Sequence, residues 1–236
     1  EYLLSQEIEK FLKVSEHART QWKKHLIQLI LNKEHSILFL TDSNFHATVR
    51  NAVGNPKSQI SLVLDGAKIS LGDLCNGSAL NDLHKVRWHN CPDLPPLDLF
   101  AGVSSIDFSS SVGFIDLSGL PSSVKHVNLS YCASILDAEP LAYCETVSLK
   151  SCSHVANVSA LRSVPYLNLS CCSWLEDEHI IELGHQKELN LSFCTQLRNV
   201  AHLNHVEKLN LNYCNQIPLE MIDSLQKSGN FITAIR

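Results

Sequence analysis

The sequence lacks any apolar run near the roughly 18 residues that a membrane-crossing helix requires, so insertion into a bilayer is not expected. It also lacks a basic excess. Nineteen Lys and Arg stand against 24 Asp and Glu, a formal net charge of −5, and neither nucleic acid nor an anionic membrane is the expected partner. The signatures of common catalytic centres are missing too: there is no G-x-S-x-G, no phosphate-binding G-x-x-x-x-G-K-[ST], no H-E-x-x-H and no G-x-G-x-x-G. His89 and His126 have no nucleophile or orienting partner in the pattern, so catalysis and a cofactor are not expected. Methionine is nearly absent. The only one is Met221, so Glu1 is no initiator; a fragment or processed chain is expected, with an upstream targeting segment left open.

Cysteine, in contrast, is plentiful. Nine is an odd number, so disulfides cannot pair every thiol. N-x-S triplets start at Asn76, Asn128, Asn157, Asn168 and Asn190. Three of them, Asn128, Asn168 and Asn190, fall in expected strands, where glycans would crowd the exposed face. A reducing compartment, cytoplasmic or nuclear, is the expectation, with an organelle left open.

The placement of the cysteines is the main signal. Cys132, Cys152, Cys172, Cys194 and Cys214 follow one another at 20, 20, 22 and 20 residues. Each closes the same frame: Val127-x-Leu129-x-x-Cys132, Val147-x-Leu149-x-x-Cys152, Leu167-x-Leu169-x-x-Cys172, Leu189-x-Leu191-x-x-Cys194 and Leu209-x-Leu211-x-x-Cys214. Val86-x-Trp88-x-x-Cys91 and Ile106-x-Phe108-x-x-Ser111 extend it backwards. Leu62-x-Leu64-x-x-Ala67 fits more loosely, and Ile232-x-Ala234 begins one more copy. A period of 20 to 29 with this L-x-L-x-x-[N/C] core resembles the leucine-rich repeat.

The expected fold is an α/β solenoid. About eight to nine short coils would form an arc with a parallel β-sheet on the concave face, capped by an N-terminal helical module. Alternation puts one side of each short strand in the core. The cysteine sits where the chain leaves the strand, a small thiol whose weak S–H donor can serve a carbonyl of a neighbouring coil. Further apolar residues (Ile135, Val155, Leu175, Leu197, Ile217, then Leu141, Leu161, Leu183, Leu203) complete each coil. One coil buries little; stacking makes the core continuous. Twenty residues leave room for only a turn or two on the convex side. Glu178–Leu183, in the longer repeat, has room for a helical turn, and a flat arc is expected.

Residues 1–58 read as a separate module before the repeats at 59–236. Leu4, Ile8, Phe11 and Leu12 carry helical spacing, as do Ala18, Trp22, Leu26, Leu29 and Ile30, and then Phe45, Val49, Ala52 and Val53. Asp42 or Ser43 would cap the third helix, and Gly54 with Pro56 would end it. The stretch LSQEIEKFL, Leu4 to Leu12, resembles an F-box helix of the form E-L-x-x-x-I-x-x-F-L, and Trp22 echoes the tryptophan that follows it. The chain thus resembles F-box/leucine-rich-repeat proteins of the cysteine-containing subtype. It departs from them in having no L-P start and a short gap before Trp22. The resemblance implies that Ile8, Phe11 and Leu12 bind a Skp-type adaptor and its cullin while the solenoid recruits a substrate for ubiquitin transfer. The rival reading is a plain cap on the first coil of a structural or accessory subunit.

The frame also names a binding face. Tyr131, Tyr166, Phe193 and Tyr213 should display aromatic rings there, the residue class enriched at interface hot spots. Asn128, Asn168, Asn190 and Asn210 form a polar column, equally readable as turn-formers, and Arg87 adds charge at its start. Trp174 stands at the edge of the arc, exposed as an anchor or folded over Leu175. Cys91, Cys132, Cys152, Cys172, Cys194 and Cys214 are expected to be a structural ladder. Thiols one strand apart, about 4.8 Å, are too far apart to share a tetrahedral zinc, so no metal is expected. Cys171 should face outward. The overall expectation is a non-catalytic scaffold for protein partners.

Overall fold

The computed structural model describes residues 2–4, 28–53, 59–68, 83–90, 96–113, 115–153, 155–227, 229 and 231–235. Its centre is one parallel sheet of 11 strands whose spatial order is their chain order. The strands are β1 (Tyr2–Leu4), β2 (Gln28–Leu31), β3 (Gln59–Val63), β4 (Leu83–Arg87), β5 (Ser105–Asp107), β6 (His126–Asn128), β7 (Thr146–Ser148), β8 (Tyr166–Asn168), β9 (Glu188–Asn190), β10 (Lys208–Asn210) and β11 (Phe231–Thr233). Every expected repeat strand forms, including the loose copy at Leu62 and the final copy at Ile232.

Register follows the apolar frame. Val127 pairs with Val147, Val147 with Leu167, Leu167 with Leu189 and Leu189 with Leu209. The ladder then continues one residue past each strand. The second leucine of each frame donates its N–H to the next coil, as in Leu129 to the Ser148 carbonyl and Leu149 to the Asn168 carbonyl, both at 2.8 Å. Both apolar positions of the frame are buried in every coil from β3 to β10. At about 1.5–3 kcal/mol for each fully buried Leu or Val, the gain is spread evenly along the stack, as nearest-neighbour stacking requires.

The return path on the convex side is short. It uses 3₁₀ turns at Leu97–Phe100, Glu139–Leu141, Val158–Ser163, Asp177–Ile180 and Ala201–Leu203. Leu141, Leu161, Ile180 and Leu203 in these turns are buried. The helical turn expected over Glu178–Leu183 is instead a 3₁₀ turn at Asp177–Ile180, capped reciprocally by Glu176 and His179. Three α-helices are described: α1 (Lys33–Thr41), α2 (Ser43–Val53) and α3 (Leu219–Lys227). Asp42 caps α2 as expected, its Oδ1 accepting the N–H groups of Asn44 at 2.8 Å and Phe45 at 3.0 Å.

The N-terminal segment differs from the sequence reading in two places. Leu29 and Ile30, expected on a helix, lie in β2, and Leu4, expected at a helix start, lies in β1. Helical spacing and alternation are ambiguous over so short an apolar run. In Gln28–Leu31 the alternation prevails, burying Leu29 and Leu31 beneath half-buried Gln28 and Ile30. β2 pairs with β3 through Leu29–Ile60 and Leu31–Leu62, and Gln28 donates across the pair to Gln59 Oε1 at 2.7 Å. The sheet therefore begins before residue 58 and runs on through the repeats. No described helix is long and apolar enough to cross a membrane.

Candidate binding surface

The alternation that buries the leucines turns their neighbours to the concave side. Strand pairing aligns these neighbours into columns. One runs His126, Thr146, Tyr166, Glu188, Lys208, Phe231; the next runs Asn128, Ser148, Asn168, Asn190, Asn210, Thr233. Arg87 and Asp107 begin the second column. Arg87 is engaged there, its Nε donating to Asp65 Oδ1 at 3.0 Å and its Nη2 to Asp65 Oδ2 at 2.5 Å. That pairing holds the guanidinium pKa above its ordinary value.

The asparagine column has a local task. Oδ1 of Asn128, Asn168, Asn190 and Asn210 accepts the backbone N–H two residues on, from Ser130, Ser170, Ser192 and Asn212, at 3.0–3.1 Å. Asp107 does the same for Ser109 at 3.1 Å. This is the Asx-turn that lets Asn and Asp bend a chain, and it starts the exit from each strand. Asn128 and Asn190 also accept from the hydroxyls of Ser130 and Ser192.

The turn is completed by a residue in the left-handed region. Gly66, Asn90, Ser110, Tyr131, Ser151, Cys171, Phe193 and Tyr213 occupy one frame position, each with φ between 54° and 65°. Their N–H groups donate to the following coil, for example Tyr131 to the Lys150 carbonyl at 2.7 Å and Phe193 to the Asn212 carbonyl at 2.8 Å. Gly and Asn tolerate this geometry, whereas it strains other L-residues. Their appearance at Gly66 and Asn90 was the signal available in the sequence.

This position forms the rim of the concave face and carries three of the four expected aromatics. Tyr131, Phe193 and Tyr213 are 52%, 46% and 39% exposed. Phe193 and Tyr213 stack at 4.4 Å between centroids, and the Lys150 ammonium sits 5.3 Å from the Tyr131 ring centroid. Tyr166, 40% exposed, lies apart from them on the sheet itself. There it borders a groove of about 440 Å³ over β7–β11, which also takes in the Glu188–Lys208 ion pair and Phe231. Phe231 and the Lys150–Tyr131 contact had no signal in the repeat frame.

Trp174 does not stand exposed. It is half-buried against the core, its indole N–H donates to the Cys152 carbonyl at 2.8 Å, and its ring meets His179 edge-on. Leu175 beneath it is buried, as in the folded-over alternative.

Five of the frame cysteines line up along the stack. Cys132, Cys152, Cys172, Cys194 and Cys214 are buried and free. Each donates from Sγ to the second frame residue of the preceding coil: Phe108, Leu129, Leu149, Leu169 and Leu191, at 3.0–3.3 Å. Burial pushes the thiols of Cys132 and Cys172 up to about 11 and that of Cys152 to about 12, and it raises Cys194 and Cys214 as well. Such thiols are poor nucleophiles and poor metal ligands, and no group of three or more metal-binding side chains occurs among the described residues. Cys171, next in sequence, is half-exposed on the rim. Cys91 and the proposed adaptor-binding Ile8, Phe11 and Leu12 lie outside the described residues.

No family model matches the chain, and no curated protein matches it. Among solved structures, a leucine-rich-repeat protein of Leptospira interrogans is similar at 14% identity and a TM-score of 0.50, over 94% of this chain and 62% of that one. The functional domain of InlJ from Listeria monocytogenes, described as including a cysteine ladder, matches at 14% identity and a TM-score of 0.40, over 70% of this chain and 46% of that one. The chain thus spans less than two thirds of either structure. Together with the 11-stranded parallel sheet and its 20-residue period, the similarity to the Leptospira protein gives the fold: a leucine-rich-repeat solenoid with a parallel sheet on its concave face.

Proposed function

We propose that this chain is a non-catalytic protein-interaction scaffold that engages its partner through the aromatic rim of the concave face. The observation that carries this reading is the choice of Phe193 and Tyr213 at positions with left-handed backbone. The fold asks there only for a residue that tolerates positive φ, and Gly66 and Asn90 meet that need at little cost. Bulky aromatics are strained at such positions, about 1–3 kcal/mol each, and strain of this kind gathers at functional sites. Here the two rings form a half-exposed stacked pair on an outer edge, the kind of surface that buries well against a partner.

Recruitment of a Skp-type adaptor and cullin is the finer form of this reading, with the chain as a ubiquitin-ligase substrate receptor. It depends on Ile8, Phe11 and Leu12, and the strands at Tyr2–Leu4 and Gln28–Leu31 favour further solenoid coils over a helical F-box. The role of structural or accessory subunit agrees better with a sheet that runs on through the N-terminal segment.

The test is affinity capture from the source cell with the full chain and with a Phe193→Asn/Tyr213→Asn variant, both checked for equal melting temperature. A stoichiometric partner held by the full chain and lost by the variant is expected. A partner retained equally by both overturns the rim as its site. Skp-type adaptor and cullin among the captured proteins would establish the receptor form.

A further inference from the structure

The groove over β7–β11 is separate from the rim, and its chemistry is specific. Its floor is the column Asn168, Asn190, Asn210. In each of these the turn fixes which way the amide points. Only Oδ1 can accept the N–H groups of Ser170, Ser192 and Asn212, at 3.0 Å each, so Nδ2 is left as the outward donor. Neighbouring strands set these donors about 4.8 Å apart. On the wall, Glu188 and Lys208 neutralise each other at 2.5 Å. Tyr166 and Phe231, 40% and 66% exposed, stand three strands apart, about 14 Å, with that ion pair between them.

These features discriminate among ligands. A polyanion needs unpaired cations, and the one on this wall is already paired. An apolar helix laid across the floor would leave buried donors unmet, which disfavours it. An extended peptide presents same-side groups about every 6.8 Å, out of step with the donors. A chain of sugars offers hydroxyl acceptors on every unit, at a length close to one strand spacing, and has C–H faces that lie flat on aromatic rings. We infer that this groove binds a neutral oligosaccharide of about three to four units. Asn168, Asn190 and Asn210 donate to its hydroxyl oxygens, and Tyr166 and Phe231 bracket its ends.

The test uses a substitution that the protein itself licenses. Asp107 makes the same turn as the asparagines, so Asn190→Asp keeps the turn's acceptor while it replaces the outward donor with a charged acceptor. Calorimetric titrations of the full chain would use cellotetraose, mannotetraose, maltotetraose and tetraacetylchitotetraose, with a heparin tetrasaccharide and a neutral Ser/Thr peptide as comparators. One neutral tetrasaccharide is expected to bind. Asn190→Asp should weaken it about tenfold with no change in melting temperature, and Tyr166→Ala should weaken it similarly. The inference is overturned if no neutral tetrasaccharide binds at millimolar concentration, if Asn190→Asp leaves the affinity unchanged, or if the heparin fragment or the peptide is the ligand that Tyr166→Ala loses. Phe193→Asn/Tyr213→Asn lies outside the groove and should not alter sugar affinity, which separates this outcome from the fate of the rim.

Discussion

Phe193 and Tyr213 stack with their planes 20° apart while both backbones sit at left-handed φ, 63° and 62°. The two facts oppose each other energetically. The backbone costs about 1–2 kcal/mol per residue, and an aromatic pair returns about 0.5–1.5 kcal/mol beyond its buried area. Phe193→Ala keeps the strain and loses the stack, so it should destabilise the fold by about 1 kcal/mol. Phe193→Asn loses the stack but relieves the strain, and should leave stability nearly unchanged. Urea unfolding of the two variants compares them directly; equal destabilisation by Ala and Asn would contradict the assignment of strain.

The same position in another coil gives the test without a ring. Ser151 has φ of 56° and no ring of its own to stack in compensation. Ser151→Asn, which copies Asn90, should raise the melting temperature, through roughly 0.5–1 kcal/mol of relieved strain. Ser151→Val should lower stability by more than about 1 kcal/mol, because a β-branched residue suits this region least. Thermal denaturation of both variants checks the sign in each direction.

The asparagine column predicts a contrast between two small changes. Asn128 Oδ1 accepts both the N–H of Ser130 at 3.1 Å and its hydroxyl at 2.6 Å. Asn128→Ala removes that acceptor beneath a buried serine and should cost about 1–3 kcal/mol. Asn128→Asp keeps the acceptor, as Asp107 does, but pairs with Asp107 across the strands, a like-charge contact that detracts from stability, so it should cost something but clearly less than Asn128→Ala. Chemical denaturation that finds Ala and Asp alike would mean the turn does not depend on this bond.

Much of this was legible because the solenoid repeats one frame. Val127, Leu129 and Cys132 recur so regularly that strands, register and thiol ladder followed from a single copy. The N-terminal strands were hidden because Leu29 and Leu31 sit in too short a run to separate alternation from helical spacing. The rim was legible as a column but not in its geometry. Tyr131, Phe193 and Tyr213 are residues that seldom adopt positive φ, and only Gly66 and Asn90 hinted at it. The groove was legible only in part. The frame aligned Asn168, Asn190 and Asn210 and displayed Tyr166, but Phe231 follows a helix rather than a frame cysteine, and nothing in the frame marked the enclosed space between them.

The buried ladder makes stability depend on alkaline pH, with a sign that follows from proton counts. An ordinary thiol titrates near 9.0, whereas Cys132 and Cys172 in the fold are pushed up to about 11 and Cys152 to about 12. Below the ordinary value both states hold these protons, and the burial is fully stabilising. Above it the unfolded chain releases protons that the folded chain keeps, so unfolding gains in favour as pH rises. Stability should therefore fall through the window from about 9 to about 12 and level off only when the folded thiols also ionise. Cys172→Ser offers the control. Its hydroxyl can donate to the Leu149 carbonyl as Ser111 does to Trp88 at 3.5 Å, and it removes one group that titrates. Urea unfolding across this window should show a shallower decline for Cys172→Ser than for the unaltered chain, whatever its stability at neutral pH. Parallel curves for the two would mean that Cys172 keeps no proton in the fold that it loses on unfolding.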